Sequence, residues 1–131
     1  MDDTGLGVRA ILRAIGGLAL LTFAAPLPTM AGEMNSHEGD PAAIARGSDL
    51  FALRCSFCHG GHGRGAKGPP LTAGHYKHGG SDLVLFSTIV GGRPGTQMGA
   101  FGTTLSTDEI WDIIAYLRDE TRRRIEAGDT D

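Results

Sequence analysis

Two cysteines and a histidine stand together in the run Cys55-Ser56-Phe57-Cys58-His59. On a helical turn, side chains at i and i+3 are neighbours, so both thiols can bond to adjacent positions of one flat ring while the next imidazole points at its centre. The pattern C-x-x-C-H is typical of covalent haem c attachment. It predicts thioethers from Cys55 and Cys58 and iron ligation by His59, whose other ring N–H would donate to a fixed acceptor.

Three other chemistries are compatible with two cysteines at this spacing. A redox dithiol of the thioredoxin type requires a βαβ pattern nearby, and none is visible. Zinc would need both thiols and two of the histidines at positions 59, 62, 75 and 78. A structural disulfide would close a very short and strained loop. Haem is favoured, because it also accounts for the export signal and the downstream methionine described below.

Composition indicates that something other than side chains fills the centre of this domain. The 131 residues include 21 glycines, and only 6% are aromatic. Small domains with so few bulky side chains generally need a cofactor, a metal, a disulfide or a partner to stay folded, and a covalent cofactor would supply the missing core. The formal net charge of −3 disfavours nucleic acid as a partner.

A second iron ligand is predicted among the methionines. Three of the four methionines lie within the first 34 residues, which leaves Met98, in a glycine-rich loop able to reach the opposite face of the ring. We predict Met98 as this ligand. The alternatives are an open iron site or one of the histidines at positions 62, 75 and 78.

The predicted ligand pair determines the predicted function. With both axial positions occupied, iron has no open site for a substrate, so the chemistry is Fe(II)/Fe(III) exchange and the chain is an electron carrier rather than an enzyme. The axial ligands also set the reduction potential. Two alternative functions remain: a haem-based sensor or haem enzyme with an open or displaceable sixth ligand, and a zinc-stabilised interaction module.

The first 31 residues have the three regions of a secretory signal peptide. Arg9 and Arg13 precede an apolar run over residues 14–25, and small residues end at Ala31. The run is shorter than the roughly 20 residues that span a bilayer. We expect cleavage near Ala31, no stable membrane insertion after processing, and a periplasmic location. Residues 32–40 are predicted to be a flexible N-terminal segment, 41–127 the folded domain and 128–131 a C-terminal tail.

The elements that position these residues are predicted to be helices joined by long loops. A first helix reaches Cys55, a short one runs through Val90, and a terminal one ends near Ala127-Gly128. The capping signals are Asp40-Pro41, Ser81 and a capping box at Ser106 and Glu109. No strand-like alternation is visible, so the predicted class is all-α, with three to four helices and long ordered loops.

Residues 41–118 resemble class I cytochromes c, which implies the cytochrome c fold around one covalently attached haem. In that family a glycine and an aromatic residue on the first helix pack against an aliphatic and an aromatic residue on the last. Gly47 and Phe51 match the first pair, and Ile113 and Tyr116 match the second.

The resemblance extends to the loop after the haem motif. The family's Gly-Pro-x-Leu sequence is present as Gly68-Pro69-Pro70-Leu71. By that match, the carbonyl of Pro69 accepts the N–H of His59, and Leu71 packs on the haem. The segment 92–118 is similar to bacterial members associated with quinoprotein alcohol dehydrogenases.

That similarity implies redox protein partners, with a quinoprotein (PQQ-dependent) dehydrogenase as donor and an oxidase or another cytochrome as acceptor. Arg93 is predicted to pair with a haem propionate, a solvated side chain being the alternative. Trp111 is interpreted as a packing residue rather than an electron relay. The arginines at 122–124 suit the negative end of the helix dipole, docking to an acidic partner being the alternative.

Overall fold

The computed structural model describes residues 35–129, which form four α-helices and one 3₁₀ turn. The helices are α1 (Pro41–Arg54), α2 (Ser56–His59), α3 (Asp82–Gly91) and α4 (Thr107–Glu126), and the 3₁₀ turn covers Gly61–Gly63. No strand occurs between residues 35 and 129. The predicted all-α class with three to four helices and long loops is confirmed.

The helices begin where the capping signals predict. The carboxylate of Asp40 accepts the N–H of Ala42 at the start of α1, and the hydroxyl of Ser81 accepts an N–H in the first turn of α3. In the capping box of α4, Ser106 and Glu109 each bond to the other's backbone N–H. These side chains satisfy N–H groups that have no partner within their helix.

The crossing of α1 and α4 organises the fold. A Cβ atom on Gly47 would lie 2.0 Å from the carbonyl oxygen of Asp112, so only glycine allows the two backbones to approach this closely. One turn further on, the rings of Phe51 and Tyr116 lie 5.5 Å apart between centroids. This is the helix pairing that the family resemblance implies.

The apolar core lies where α3 and the loop before α4 meet this crossing. The stripe predicted on α4 is buried, and Ile114 is fully inaccessible to solvent. Trp111 is half-buried and stacks on Phe86 with 4.4 Å between ring centroids, as expected for a packing residue. The buried cluster consists of Phe51, Leu85, Leu105, Ile110, Ile113, Ile114, Tyr116 and Leu117.

A buried carboxylate fastens α4 to the start of the described chain. Asp112 is 2% exposed. Its oxygens lie 2.7 Å from Nε of Arg46 and 2.7 Å from Nδ1 of His37. Burial raises the pKa of Asp112, but the hydrogen bonds from Arg46 and His37 outweigh that effect and hold the pKa below its ordinary value.

The described part of segment 32–40 makes specific contacts with the helices. Asn35 is 5% exposed, and its side-chain amide donates to the carbonyl of Trp111 at 2.8 Å. The flexibility of segment 32–40 stays a prediction. Two of its described residues, Asn35 and His37, are hydrogen-bonded to α4. The predicted signal peptide lies outside the described residues. Between residues 35 and 129, no helix combines the length and apolar character needed to cross a membrane.

Candidate functional site

The two cysteines and the histidine lie on one tight turn. Cys55 separates α1 from α2 with helical backbone angles, and its carbonyl accepts the N–H groups of both Cys58, at 3.1 Å, and His59, at 2.9 Å. Both cysteines are free thiols of intermediate exposure. The predicted attachment turn is therefore a helical turn with its thiols within reach of a ligand.

The imidazole of His59 is held by the loop that follows it. The ring is 8% exposed, and its Nδ1 lies 2.9 Å from the carbonyl oxygen of Pro69. Since a carbonyl only accepts, Nδ1 carries the proton, and Nε2 is left with the lone pair that can bind a metal. A Cβ atom on Gly68 would lie 3.0 Å from Nδ1 of His59, so the loop is in close contact with the ring.

The same loop is fixed to the core on its far side. The N–H of Leu71 donates to the carbonyl of Gly63 at 2.7 Å, and the half-buried Leu71 side chain packs against the core cluster. Thr72 is fully buried, and its hydroxyl donates to the carbonyl of His62 at 2.9 Å. Loop 63–72 is therefore ordered by its own hydrogen bonds.

Met98 lies at the end of a second braced loop. The N–H of Arg93 donates to the carbonyl of Met98 at 2.9 Å. The hydroxyl of Thr96 donates to the carbonyl of Arg93 at 2.8 Å and accepts the N–H of Met98 at 3.2 Å. Hydrogen bonds among Arg93, Thr96 and Met98 thus hold the two ends of segment 93–98 together. The side chains of Arg93 and Met98 are both half-buried.

Both ends of this methionine loop are attached to α3. Gly92 has a φ of +68°, which side-chain-bearing residues rarely adopt, and a Cβ atom there would lie 2.7 Å from the carbonyl oxygen of Met98. After the loop, the N–H groups of Phe101 and Gly102 donate to the carbonyls of Ile89 and Val90. The position of Met98 is therefore set by α3.

Comparison with known proteins identifies this arrangement. Residues 42–117 match a family described as "Cytochrome C oxidase, cbb3-type, subunit III", and the match covers more than half of the chain. The chain belongs to the cytochrome c family. Its relatives include proteins named as cytochromes and proteins named as cytochrome c subunits of larger complexes.

Several relatives of this cytochrome are c-type cytochromes from bacteria. Cytochrome c-L of Methylorubrum extorquens is 37% identical over 86 residues, covering 64% of this chain and 43% of the relative. Cytochrome c55X of Pseudomonas aeruginosa is 35% identical over 109 residues, covering 83% of this chain and 87% of the relative. The crystal structure of cytochrome CL from Methylophaga aminisulfidivorans has a TM-score of 0.59 and 34% identity, covering 72% of this chain and 69% of that one.

The cytochrome is shorter than several proteins that it matches. It spans 26% and 28% of two cbb3-type oxidase subunits and 43% of cytochrome c-L. The solved relatives share its helical architecture, which confirms the predicted cytochrome c fold.

The cofactor of this cytochrome is haem c, and the residues present fit it. Haem c needs two thiols and a nitrogen ligand from one short segment. The turn supplies free Cys55 and Cys58 and an imidazole whose Nε2 is free because Nδ1 is engaged. In the polypeptide before attachment, burial, with a smaller effect from the nearby Cys58, raises the pKa of the Cys55 thiol to about 11.

The other histidines lie in different surroundings. His62 has a φ of +56°, and its Nδ1 lies 3.2 Å from the hydroxyl of Tyr116 on α4. His75 and His78 are exposed. Within residues 35–129, no three His, Cys, Asp or Glu side chains are grouped so as to hold a metal ion. This part of the chain therefore offers no cluster of side chains that could bind zinc.

Sequence reasoning missed two residues that brace the site loops, Thr96 and Thr72, and the buried position of Arg124. Thr96 braces the methionine loop, and Thr72 anchors the loop that holds His59. Arg124 is 6% exposed and lies 3.3 Å from the Thr72 hydroxyl, whereas Arg122 and Arg123 pair with Asp119. Because threonine in a loop commonly bonds to nearby backbone, the bracing by Thr96 could have been anticipated. The burial of Arg124, one of three consecutive arginines, could not have been anticipated from the sequence.

Proposed function

We propose that this cytochrome is a periplasmic one-electron carrier whose haem iron is ligated by His59 and Met98. The observation that carries the proposal is that His59 and Met98 are each held by a loop with its own hydrogen bonds. One fixes the imidazole through Pro69, and the other fixes Met98 through Thr96 and Arg93.

Haem iron, when bound, supplies exchange between Fe(II) and Fe(III), with a potential set largely by its axial ligands. The chain's contribution is to keep those ligands in place. The hydrogen bond from Nδ1 of His59 to Pro69 fixes the orientation of the ring, and the bonds of Thr96 restrict the methionine loop. Rigid ligands favour fast transfer, because little has to rearrange when the charge on the iron changes.

Leu71 and Arg93 have supporting roles in this proposal. Leu71 presents an apolar side chain from the loop that holds His59, and it would pack on the ring. Arg93 is half-buried beside the backbone of Met98, and its guanidinium would pair with a haem propionate. Pro69 acts through its carbonyl, which accepts the N–H at Nδ1 of His59 and would leave Nε2 available to bind iron.

We further propose that residues 1–31 are a signal peptide cleaved near Ala31, and that the mature chain works in the periplasm. The donor would be a quinoprotein dehydrogenase, which the similarity of segment 92–118 to the quinoprotein-associated cytochromes supports. The acceptor would be an oxidase or another cytochrome, since relatives include subunits of cbb3-type oxidases and of a bc1 complex. Mass spectrometry of the exported protein tests the cleavage site.

The deciding experiment is an absorption spectrum of the purified holoprotein in both oxidation states, with carbon monoxide added to the reduced form. We expect sharp split bands on reduction, the weak sulfur-to-iron(III) band on oxidation, and carbon monoxide binding that is much weaker than that of an iron with an open position. The variant Met98→Ala should lose the sulfur band and bind carbon monoxide. If the wild-type protein binds carbon monoxide readily, iron has an open or displaceable position, and the protein is a sensor or a haem enzyme.

A further inference from the structure

Arg124, near the end of α4, is the buried member of three consecutive arginines. It is 6% exposed. Its Nη1 donates to the hydroxyl of Thr72 at 3.3 Å, and its Nη2 donates to Oδ1 of Asp129 at 3.4 Å. Among residues 35–129, its Nε has no hydrogen-bond partner. A buried guanidinium with an unpaired N–H costs free energy, so its burial adds little to the stability of the helix end.

The Thr72 hydroxyl that Arg124 contacts joins the two ends of loop 63–72. Its single proton is shared between the carbonyls of His62, at 2.9 Å, and Gly63, at 3.2 Å. Because arginine can only donate, the same oxygen accepts from Arg124. A cationic donor polarises the hydroxyl and strengthens the bonds that it donates. Arg124 therefore reinforces the closure of the loop and ties it to α4.

The closed loop carries the acceptor for the His59 ring. The carbonyl of Pro69 accepts the N–H at Nδ1, and another N–H of the loop donates to the carbonyl of Cys58 at 2.7 Å. The loop and the attachment turn thus form one hydrogen-bonded unit. Arg124 contacts this unit at Thr72, three residues after Pro69.

The turn that follows α4 holds Arg124 from its other side. Gly128 has a φ of +69°, and the N–H of Asp129 donates to the carbonyl of Arg124 at 2.9 Å. This arrangement is typical of a Schellman cap, and it brings the Asp129 carboxylate back to the helix. Oδ2 of that carboxylate lies 2.6 Å from Nη1 of Arg64. Hydrogen bonds from Arg64 and then Arg124 hold the pKa of Asp129 below its ordinary value, so at pH 7 an anion lies between the two cations.

We propose that Arg124 is a positioning residue for the iron ligand His59. Asp129 holds the guanidinium, and the guanidinium fixes Thr72 to α4. Thr72 in turn keeps closed the loop whose Pro69 carbonyl orients the imidazole. The inference rests on the proposed ligation of iron by His59, and it makes the last described residue of the chain part of the support of the electron-transfer site.

Exchange of the His59 ring proton with water tests the proposal. It is measured by NMR in the reduced, ¹⁵N-labelled holoprotein, together with exchange of the Leu71 amide, which bonds to the carbonyl of Gly63. Arg124→Gln removes the cationic donor, and Thr72→Val removes the hydroxyl but keeps the shape of the side chain. Each should accelerate both protons roughly five- to tenfold, the effect of losing about one hydrogen bond. The double variant should exchange no faster than the faster single variant, because both changes break the same link.

Two matched controls separate position from charge. Arg122→Gln makes the same change of charge two residues earlier, where the side chain pairs with Asp119, and should alter neither rate by more than about twofold. Asp129→Asn is a milder change on the far side of Arg124, and it tests the proposal even if Arg124→Gln does not fold. We expect it to accelerate both protons roughly two- to fourfold, whereas Glu126→Gln, at an exposed carboxylate at the end of α4, should have no such effect.

A role in stability alone would give a different pattern of exchange. Arg124→Gln would then accelerate only amides that open through global unfolding, such as that of the fully buried Ile114, and would leave the His59 ring proton unchanged. That pattern, equal effects of Arg124→Gln and Arg122→Gln, or a double variant whose effect is the product of the two single effects would each overturn the proposal. The absorption spectrum of the wild-type protein reports the proposed function, and the exchange rates of the variants report this inference, so the two failures are distinguished.

Discussion

The Nδ1 atom of His59 lies 2.9 Å from the carbonyl oxygen of Pro69, ten residues further along the chain. This contact fixes the tautomer of the ring, since the carbonyl can only accept. It also makes the loop after the attachment turn part of the iron site, although none of its side chains is a proposed ligand.

Gly68→Ala tests the close packing of that loop on the imidazole. The new methyl group would lie 3.0 Å from both Nδ1 and Cε1 of His59, so the ring or the loop must shift. We expect a loss of about 1–3 kcal/mol in the free energy of unfolding of the holoprotein, together with a changed midpoint potential. Gly61→Ala, where a Cβ atom meets nothing within 4 Å, is the matched control. Equal denaturation midpoints for the two variants would contradict the prediction.

Thr96→Val tests the brace of the methionine loop. The substitution keeps the shape of the side chain but removes its hydrogen bonds to Arg93 and Met98, worth about 1 kcal/mol together on the usual scale. If Met98 is the ligand, the reduced protein should bind carbon monoxide about fivefold more tightly, which follows from that energy. The measurement is a carbon monoxide titration, with the exposed Thr103→Val as control. An unchanged affinity would show that the hydroxyl does not hold Met98 in place.

Asp112→Asn tests the buried carboxylate that joins α4 to Arg46 and His37. We expect a loss of about 2 kcal/mol at pH 7, less than the roughly 3–5 kcal/mol of fully buried pairs, because Arg46 is partly exposed. The pKa of Asp112 is lower in the folded chain than its ordinary 3.8. Its contribution is therefore complete above about pH 4 and is lost as the pH falls through the folded value.

The measurement is the free energy of unfolding between pH 2 and pH 7. The wild-type protein should lose its advantage over Asp112→Asn as the medium becomes acidic, so the two curves converge. Asp49 is an exposed carboxylate on α1. The curve of unfolding free energy against pH for Asp49→Asn should therefore stay parallel to that of the wild type. Curves for Asp112→Asn and wild type that stay parallel down to pH 2 would refute the assignment.

Gly47→Ala tests the crossing of the first and last helices. Its methyl group would lie 2.0 Å from the backbone oxygen of Asp112, and a backbone cannot rotate away as a side chain can. We expect a loss of about 3 kcal/mol or more in unfolding free energy. Gly91→Ala, at the end of α3 with open space around it, should have little effect. Calorimetry of both holoproteins measures the difference, and similar melting temperatures would be inconsistent with this crossing.

Local signals predicted most of the fold. Asp40, Ser81 and Ser106 mark helix starts because each can satisfy a free N–H from its own side chain, and the spacing of Cys55, Cys58 and His59 defines the attachment turn. These inferences need only residues a few positions apart.

Contacts between distant residues could not be predicted in the same way. Asp112 stands between apolar residues near the start of α4, and its partners Arg46 and His37 lie 66 and 75 positions away. Nothing near Asp112 in the sequence distinguishes a buried, bonded carboxylate from an exposed one. The exposure of Phe57 is equally non-local, since an aromatic residue between two cysteines is expected to be buried on composition alone.

The crossing at Gly47 also bears on how the protein matures. It joins segments more than sixty residues apart, as the 66-position separation of Arg46 and Asp112 shows, and closing so long a stretch is slower than winding a single helix. We expect an assembly enzyme to meet the two thiols on an open polypeptide. Closure of the crossing then ends the period in which the cofactor can be installed.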